Sequence, residues 1–272
     1  IGCDKRREKM NLTEEQIERY SRHIILQGVG GEGQEKILNS KVLIIGTGGL
    51  GAPAALYLAA AGVGTLGIID GDVVDRTNLQ RQVIHFTPDI GKPKVESAKE
   101  KIAEINPDVK VNAMHDLFRA DNALDILKEY DFIIDGTDNF PAKFLINDAC
   151  VLAKKPFSHG GILRFDGQTM TVVPGSASYR CVFDAPPPPN AVPTCSQAGV
   201  FGAIAGMLGT IQAAEALKYI IGKGELLTNR LLIFDALKMK FRTVKVKPNK
   251  KRLNVQKLVD FEQAACDLKQ KT

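Results

Sequence analysis

A glycine-rich segment near the start of the chain restricts the possible folds more than any other feature of the sequence. An apolar run at 42–45 predicts a buried strand, small residues up to Ala61 predict a closely packed helix, and a second apolar run ends before Asp70. The first run and the helix are joined by glycines in the pattern G-x-G-x-x-G with one addition: Gly46, Gly48, Gly49 and Gly51. Strand, glycine loop, helix, strand and acid in this order predict a nucleotide-binding unit of a parallel sheet.

Each part of this unit has a physical role in holding a nucleotide. Glycines let the backbone turn tightly and approach a phosphate, and the start of the helix offers free N–H groups and the positive end of its dipole. A carboxylate after the next strand, here Asp70, accepts hydrogen bonds from ribose hydroxyls. The segment therefore favours a bound nucleotide over a purely structural turn.

The rest of the chain alternates between helices and strands before its pattern changes. Helix and strand patterns follow one another at 94–105, 109–113, 122–129, 132–135 and 142–153. Beyond them, Asp166-Gly167 predicts a hairpin, and two more strand patterns occupy 231–236 and 241–246. We therefore expect an α/β fold with a Rossmann-like, mostly parallel sheet that is continued by antiparallel strands.

Helices are expected in front of the glycine segment. Thr13 and Gln16 form a capping box that predicts a helix over 13–26, and a second short helix is expected at 34–38. The expected organisation has three parts: a disordered leader at 1–11, a nucleotide-binding domain at 12–247 and a basic C-terminal tail at 248–272.

The composition narrows the class of protein. With 44% hydrophobic and 25% charged residues, the chain is typical of an ordinary globular protein. The net charge of +5 is concentrated at 238–252, which indicates a basic edge and does not by itself indicate nucleic-acid binding. The five cysteines are widely spaced, and the longest apolar segment, 198–221, contains charged residues. We therefore expect a cytoplasmic protein with no disulfide framework, no membrane span and no nucleic-acid partner.

Polar residues suited to binding phosphates follow the strands of the predicted sheet. In a doubly wound sheet, ligands bind at the carboxyl ends of the strands. The side chains expected at that edge, besides Asp70, are Asp72, Asn78, Arg81, Lys94, Asp138 and Asn139. Two cations, several carboxylates and two amides are thus expected around the phosphates.

Seven segments, which span nearly all of 12–247, resemble the ThiF/MoeB/HesA family, the bacterial and archaeal relatives of ubiquitin-activating enzymes. They are RYSRHIIL at 19–26, VLIIGTGGLG at 42–51, IIDGDVVDRTNLQRQ at 68–82, GKPKVESA at 91–98, DGTDNF at 135–140, TCSQAGV at 194–200 and GTIQAAEALK at 209–218. The resemblance implies an adenylyltransferase that uses ATP and Mg²⁺. Its substrate would be the C-terminal glycine carboxylate of a ubiquitin-like sulfur-carrier protein that ends in Gly-Gly. Pyrophosphate would be released, and the activated carrier would serve sulfur transfer in thiamin, molybdopterin or related biosynthesis.

The resemblance also implies roles for individual residues. Gly49 would lie against the phosphates, and Asp70 would hold the ribose. Asp138 would hold Mg²⁺ with Asn139 beside it, and Arg22 would reach the ATP of the other subunit in a homodimer. The residues implied to contact the triphosphate are Asn78, Arg81 and Lys94.

This chemistry agrees with the residue types. A carboxylate nucleophile is already ionised at neutral pH, so no general base is required. The difficulty is to bring an anion to an anionic α-phosphate, which requires positioning and charge neutralisation by Arg, Lys and Mg²⁺.

The cysteines suggest two further expectations. Cys195 matches a family cysteine that is a candidate acceptor for a thioester or acyl-disulfide, and both this covalent role and an inert structural role stay open. Many relatives hold a structural zinc with two C-x-x-C pairs. Here the first pair has Ser178 in place of one cysteine and keeps only Cys181, and no cysteine occurs at 247–251. We therefore predict no zinc site.

Two other functions remain as alternatives. The glycine loop and Asp70 alone are compatible with an NAD-dependent oxidoreductase. Against it, a ligand with a third phosphate and a metal ion is favoured by the cluster of Asn78, Arg81, Lys94 and Asp138. A catalytically silent scaffold that binds a ubiquitin-like protein is the other alternative, and the presence of Arg22, Arg81, Lys94 and Asp138 weighs against it.

Overall fold

The structure, a computed structural model, describes residues 12–188 and 198–260. Numbered along the described chain, the strands are β1 Lys41–Ile45, β2 Thr65–Ile69, β3 Lys110–Met114, β4 Phe132–Asp135, β5 Phe157–Leu163, β6 Asp166–Val172, β7 Arg230–Asp235 and β8 Lys240–Lys245. The α-helices of the same residues are α1 Glu14–Arg19, α2 Ser21–Ile24, α3 Gly30–Leu38, α4 Gly51–Ala61, α5 Lys94–Ile105, α6 Ala123–Lys128, α7 Phe140–Ala153, α8 Tyr179–Val182, α9 Gly202–Ile221 and α10 Lys250–Leu253. Short 3-10 turns lie at Arg76–Asn78 and Thr87–Asp89.

All these strands belong to one mixed sheet with the order β3-β2-β1-β4-β5-β6-β7-β8. The pairs from β3 to β5 are parallel, and those from β5 to β8 are antiparallel. The expected α/β fold, with a parallel sheet continued by antiparallel strands, is therefore confirmed. Ile45 pairs with both Ile69 and Asp135, so β1, β2 and β4 end level with one another. The loops that follow these three strands consequently meet at one edge of the sheet.

The core lies on both faces of the parallel part of the sheet. In β1, Val42 and Ile44 pack on the face covered by α4, α5 and α9, whereas Leu43 and Ile45 pack on the face covered by α6 and α7. Successive strand residues point to opposite faces, so helices on both sides require the continuous apolar run seen in the sequence. No helix of the described residues has the length and apolar character needed to cross a membrane.

The β5–β6 hairpin is present, but its turn lies before the predicted Asp166-Gly167. The turn is formed by Arg164, which has a φ of 56°, and Phe165, whereas Gly167 already belongs to β6. A Cβ atom on Gly167 would lie 2.2 Å from Cζ of Phe234 on the neighbouring strand. The predicted turn position was wrong because this glycine makes room for an aromatic ring and does not form the turn.

The N-terminal segment forms two short helices where the sequence predicted one. The capping box is confirmed, since Gln16 N–H donates to Thr13 Oγ1 at 3.2 Å and Thr13 N–H donates to Gln16 Oε1 at 3.1 Å. The helix ends at Tyr20, whose ring is buried and whose hydroxyl accepts a hydrogen bond from Asn106 Nδ2 at 2.8 Å. Burial of this side chain holds α1 and α2 against the domain.

The described part of the expected basic tail contacts the domain. Leu258 packs against the core on the α6–α7 face, and Asp260 Oδ1 accepts a hydrogen bond from Ala120 N–H at 3.0 Å. The leader at 1–11 and the end of the tail lie outside the described residues.

Candidate functional site

A cleft opens at the edge of the sheet where β1, β2 and β4 end. The predicted residues that line it are Gly46, Gly48, Gly49, Asp70, Asp72, Arg81, Lys94, Asp138 and Asn139. Chain segments far apart in sequence thus meet in one cleft, as the carboxyl-edge rule for parallel sheets predicts. Two other predicted residues, Gly51 and Asn78, do not line it.

The glycine loop after β1 packs tightly against the start of α4 on one side, and its other side faces the cleft without side chains. A Cβ atom on Gly51 would lie 1.9 Å from the carbonyl oxygen of Gly46, so α4 can begin beneath the loop only with glycine at this position. Gly48 and Gly49 face the cleft instead, and a side chain on Gly49 would meet Ala205 and the stem of Arg81. These two residues form a cradle without side chains that suits the close approach of a phosphate.

The Asp70 carboxylate accepts hydrogen bonds from the glycine loop and from the loop after β2. Its Oδ2 atom accepts the Thr47 N–H at 2.7 Å, and its Oδ1 atom accepts the Asp72 N–H at 2.9 Å. Each carboxylate oxygen keeps a second lone pair. The position therefore agrees with ribose binding and adds a role in holding the glycine loop.

Two cations enter the cleft from different segments. Lys94 is the first residue of α5, and its Nζ atom lies 2.8 Å from Asp72 Oδ2. Arg81 donates from Nη1 to the carbonyl oxygen of Thr77 at 3.1 Å. The carbonyl oxygen of Asn78 accepts the Arg81 N–H at 3.1 Å. In this structure Asn78 therefore positions Arg81 and does not face the cleft itself.

Asp138 and Asn139 follow β4 on the opposite side of the cleft. Asp138 is exposed there, whereas Asn139 caps α7 by accepting the Ala142 N–H at 2.9 Å. Carboxylate oxygens are preferred ligands of Mg²⁺, so the Asp138 side chain fits the metal implied by the resemblance. No group of three or more His, Cys, Asp or Glu side chains among the described residues could hold a metal ion. A magnesium ion at Asp138 would thus take most of its ligands from phosphate oxygens and water.

The remaining predicted residues lie away from the cleft or outside the described chain. Arg22 is exposed on α2 and does not line the cleft. Cys195 lies outside the described residues. Cys181 Sγ accepts the Ser178 N–H at 3.4 Å, so at this position a local hydrogen bond joins the two residues that correspond to the family's first cysteine pair.

The cleft also contains residues that the sequence analysis did not single out. They include Gln82, Asp116, Leu117, Phe118 and Thr137. Asp116, Leu117 and Phe118 follow β3, so applying the carboxyl-edge rule to that strand as well would have found them. Gln82 is buried, and its Oε1 atom has no hydrogen-bond partner among the described residues.

A buried ionic cluster lies beneath the end of β4. The Asp135 carboxylate is 1% exposed and accepts from Lys143 Nζ at 3.1 Å and from His159 Nδ1 at 3.0 Å. Burial opposes ionisation, but Lys143 and the hydrogen bonds from His159 and Thr137 outweigh it and lower the pKa of Asp135 to about 2. Burial also lowers the pKa of His159, which favours an uncharged ring that donates from Nδ1 to Asp135.

A second cavity adjoins the cleft and shares Asp138, Asn139 and Ile162 with it. His159 lies at its wall with an Nε2 atom that has no hydrogen-bond partner among the described residues. The polar side chains of Lys143, Asp166 and Gln168 line it as well. The rest of its walls are mainly apolar and aromatic: Phe140, Leu163, Tyr179, Phe183 and Ile233.

A glycine cradle, a ribose-side carboxylate and two cations at the edge of a parallel sheet define a nucleotide-binding α/β protein. The sequence model of the ThiF family matches residues 20–255, and the chain belongs to this family.

Curated relatives carry the names of adenylyltransferases and of an activating enzyme. The "Probable adenylyltransferase/sulfurtransferase MoeZ" of Mycobacterium tuberculosis is 48% identical over 93% of this chain, which covers 66% of that protein. The "SAMP-activating enzyme E1" of Haloferax volcanii is 46% identical over 88% of this chain and 89% of its own length. The "Sulfur carrier protein adenylyltransferase" of Thermus thermophilus is 43% identical over 96% of this chain and its full length.

Solved structures share the fold. The crystal structure of E. coli MccB with AMPCPP and MccA superposes with a TM-score of 0.76 at 25% identity, and the match covers 88% of this chain and 73% of that one.

Proposed function

We propose that this protein is an ATP- and Mg²⁺-dependent adenylyltransferase. It would adenylate the C-terminal glycine carboxylate of a ubiquitin-like sulfur-carrier protein and release pyrophosphate, which prepares the carrier for sulfur transfer. The names of the relatives from Haloferax volcanii and Thermus thermophilus, which this chain covers almost completely, support this activity.

One structural observation carries the proposal. The glycine cradle, Arg81 and Lys94 come from three separate segments and converge on a single cleft that also contains Asp138. A nicotinamide cofactor needs the cradle and Asp70, but two cations and an exposed carboxylate around the phosphate end suit a triphosphate with its metal ion. The arrangement therefore favours ATP over NAD.

The chemistry follows from the charges. The attacking carboxylate and the α-phosphate repel each other, so the residues must neutralise charge and hold the reactants in line. Arg81 and Lys94 would balance the phosphates, and the backbone N–H groups of the cradle would add oriented dipoles. A bound Mg²⁺ would supply further positive charge at the phosphates, with Asp138 as its protein ligand.

The adjoining cavity provides an approach for the carrier. It opens into the cleft beside Asp138, and its walls are mainly apolar. An extended C-terminal segment could lie there with its glycine carboxylate directed toward the phosphates.

Several expectations from the resemblance belong to the same proposal. The protein would act in the cytoplasm as a homodimer in which Arg22 reaches the ATP of the other subunit, with 12–247 as the adenylation domain. Cys195 would be a candidate acceptor in a later covalent step. Loss of sulfur transfer with normal adenylation in Cys195→Ser would support that covalent role, whereas normal transfer would make the thiol structural.

A direct test uses purified protein, Mg·ATP and candidate carriers that end in Gly-Gly. We expect carrier-dependent exchange of pyrophosphate into ATP and a carrier mass increased by one adenylyl group. A carrier without its last glycine is the matched control and should support neither. Thermal stabilisation by NAD and not by Mg·ATP, with no exchange for any carrier, would contradict the proposal.

A further inference from the structure

We infer that His85 is a positioning residue that joins the three phosphate-facing elements of the cleft into one unit. This inference rests on the proposed nucleotide function and adds a residue that the resemblance did not assign.

The first contact of His85 is with the glycine loop. Its Nε2 atom lies 3.2 Å from the carbonyl oxygen of Thr47, and both residues are buried. A carbonyl oxygen can only accept, so Nε2 carries the proton. The Thr47 N–H is already held by Asp70 at 2.7 Å. His85 and Asp70 thus fix the two peptide groups that flank Thr47, directly before Gly48 and Gly49.

The second contact of His85 is with the lysine helix. Its Nδ1 atom lies 2.9 Å from Oγ of Ser97, which is fully buried on α5. Ser97 follows Lys94 by three residues and therefore lies on the same side of the helix. With Nε2 protonated, the Nδ1 atom of the neutral ring accepts the Ser97 hydroxyl proton, and Asp89 Oδ2, 3.0 Å from the same hydroxyl oxygen, shares that one proton. The ring consequently connects the glycine loop to the helix whose first residue is Lys94.

The third connection is through the chain itself. His85 lies four residues after Arg81, and its N–H donates to the carbonyl oxygen of Gln82 at 3.0 Å. The segment of Arg81 is therefore fastened through the same ring to the glycine loop and to α5. Each of these elements supplies one of the proposed phosphate contacts.

The contacts of His85 should affect how much conformational entropy the protein loses when ATP binds. If the three elements moved independently, ATP would have to order them on binding, and its affinity would fall accordingly. The adenosine part of the ligand would share less of this cost, because its proposed partner, Asp70, makes no hydrogen bond to His85 and is connected to the ring only through Thr47. Weakening the ring's contacts should therefore lower the affinity for ATP more than the affinity for adenosine.

Two substitutions separate the contacts of the ring. The amide nitrogen of Gln reaches the position of Nε2, so His85→Gln keeps a donor for Thr47. Asn reaches only the position of Nδ1, so His85→Asn leaves the buried Thr47 carbonyl without its donor. Calorimetric titrations measure the affinity of each variant for Mg·ATP and for adenosine, and thermal melting measures its stability.

We expect His85→Asn to bind Mg·ATP about tenfold more weakly than the wild type, as loss of a buried hydrogen bond of ordinary strength predicts. His85→Gln should recover part of that affinity, because it restores the Thr47 contact but not the Ser97 contact, and in both variants adenosine affinity should fall less than ATP affinity. Ser97→Ala, which leaves the ring in place, should weaken Mg·ATP binding in the same selective way if His85→Asn does not fold.

The possible contrary results distinguish failure of the role inferred for His85 from failure of the proposed function. Unchanged ATP affinity in His85→Asn, or in Ser97→Ala, would overturn the inference, and so would an equal loss of ATP and adenosine affinity. Failure of the wild-type protein to bind Mg·ATP would overturn the proposed function, and the inference with it.

Discussion

Lys94 and Asp72 are joined twice, by backbone and by side chain. The Lys94 N–H donates to the carbonyl oxygen of Asp72 at 3.0 Å, and the Lys94 ammonium lies 2.8 Å from the Asp72 carboxylate. The lysine side chain is 5% exposed and the aspartate side chain 71% exposed. The pair therefore holds a buried cation at the edge of the cleft while its counter-charge faces solvent.

This arrangement predicts the effect of removing the lysine. Lys94→Ala should lower the rate of carrier-dependent ATP–pyrophosphate exchange about a hundredfold, because loss of one charged donor to a reacting phosphate costs about 3 kcal/mol. The fold should persist, since Asp72 is solvated once its partner is gone. Lys99 is exposed on the same helix, so Lys99→Ala is the matched control and should exchange normally. A wild-type rate in Lys94→Ala would exclude the proposed role.

Arg81 gives an independent prediction from a different segment. Arg81→Ala should also lower exchange by about two orders of magnitude, because its guanidinium is the second proposed donor to the triphosphate. The nearby Arg76 is exposed and does not line the cleft, so Arg76→Ala should leave the rate unchanged. Equal exchange rates in Arg81→Ala and Arg76→Ala would contradict the proposed contact of Arg81 with the triphosphate.

Much of the fold could be predicted because its signals are local. Apolar runs, the glycine pattern and the spacing of small residues identified β1, α4 and β2, because each of these signals lies within a short stretch of the chain. The hairpin turn could not be placed correctly, since the reason for Gly167 is the Phe234 ring, which lies far away in sequence. A glycine required by packing and a glycine required by a turn look the same in the chain.

In the candidate site as well, some residues could be predicted from the sequence and others depend on contacts between distant segments. Residues directly after the ends of β1, β2 and β4 were found because parallel strands bring their carboxyl ends together. Asn78 was expected at the phosphates, but it lies in a 3-10 turn, donates from Nδ2 to Thr77 Oγ1 at 3.1 Å and does not line the cleft. The contacts of His85 with Thr47 and Ser97 depend on three segments at once, and no spacing in the sequence indicates them.

Alanine substitution should lower the free energy of unfolding at Gly51 and raise it at Gly206. A Cβ on Gly51 would lie 1.9 Å from the Gly46 carbonyl oxygen, so Gly51→Ala must displace the glycine loop. We expect it to lower the free energy of unfolding by about 3 kcal/mol. Gly206 lies within α9 with no atom within 4 Å of an added Cβ. Gly206→Ala should raise the free energy of unfolding by about 0.5–1 kcal/mol, and urea unfolding would measure both.

Stability should fall steeply in strong acid because of Asp135. Its pKa of about 2 in the folded protein lies below the ordinary value of 3.8, so the carboxylate stabilises the fold fully above pH 3.8. That contribution is lost as the pH falls from 3.8 toward 2, where the folded protein also takes up the proton. Fluorescence- or CD-monitored unfolding between pH 5 and pH 2 should show this decline. A flat profile would contradict the ionised cluster with Lys143 and His159.

A second loss of stability should begin at milder pH because of His159. Burial lowers its pKa below the ordinary 6.5, so the unfolded chain binds a proton on this residue that the folded chain does not. The free energy of unfolding should therefore fall as the pH decreases below about 6.5, by at most about 1.4 kcal/mol per pH unit for one ring. Burial lowers the pKa of His85 as well, which adds a change of the same sign. His159→Asn keeps an N–H toward Asp135 but cannot titrate, so urea unfolding at pH 5–8 should give a smaller slope for this variant. An unchanged slope would mean that His159 binds its proton equally in the folded and unfolded chains, and would contradict a lowered pKa of this residue in the folded protein.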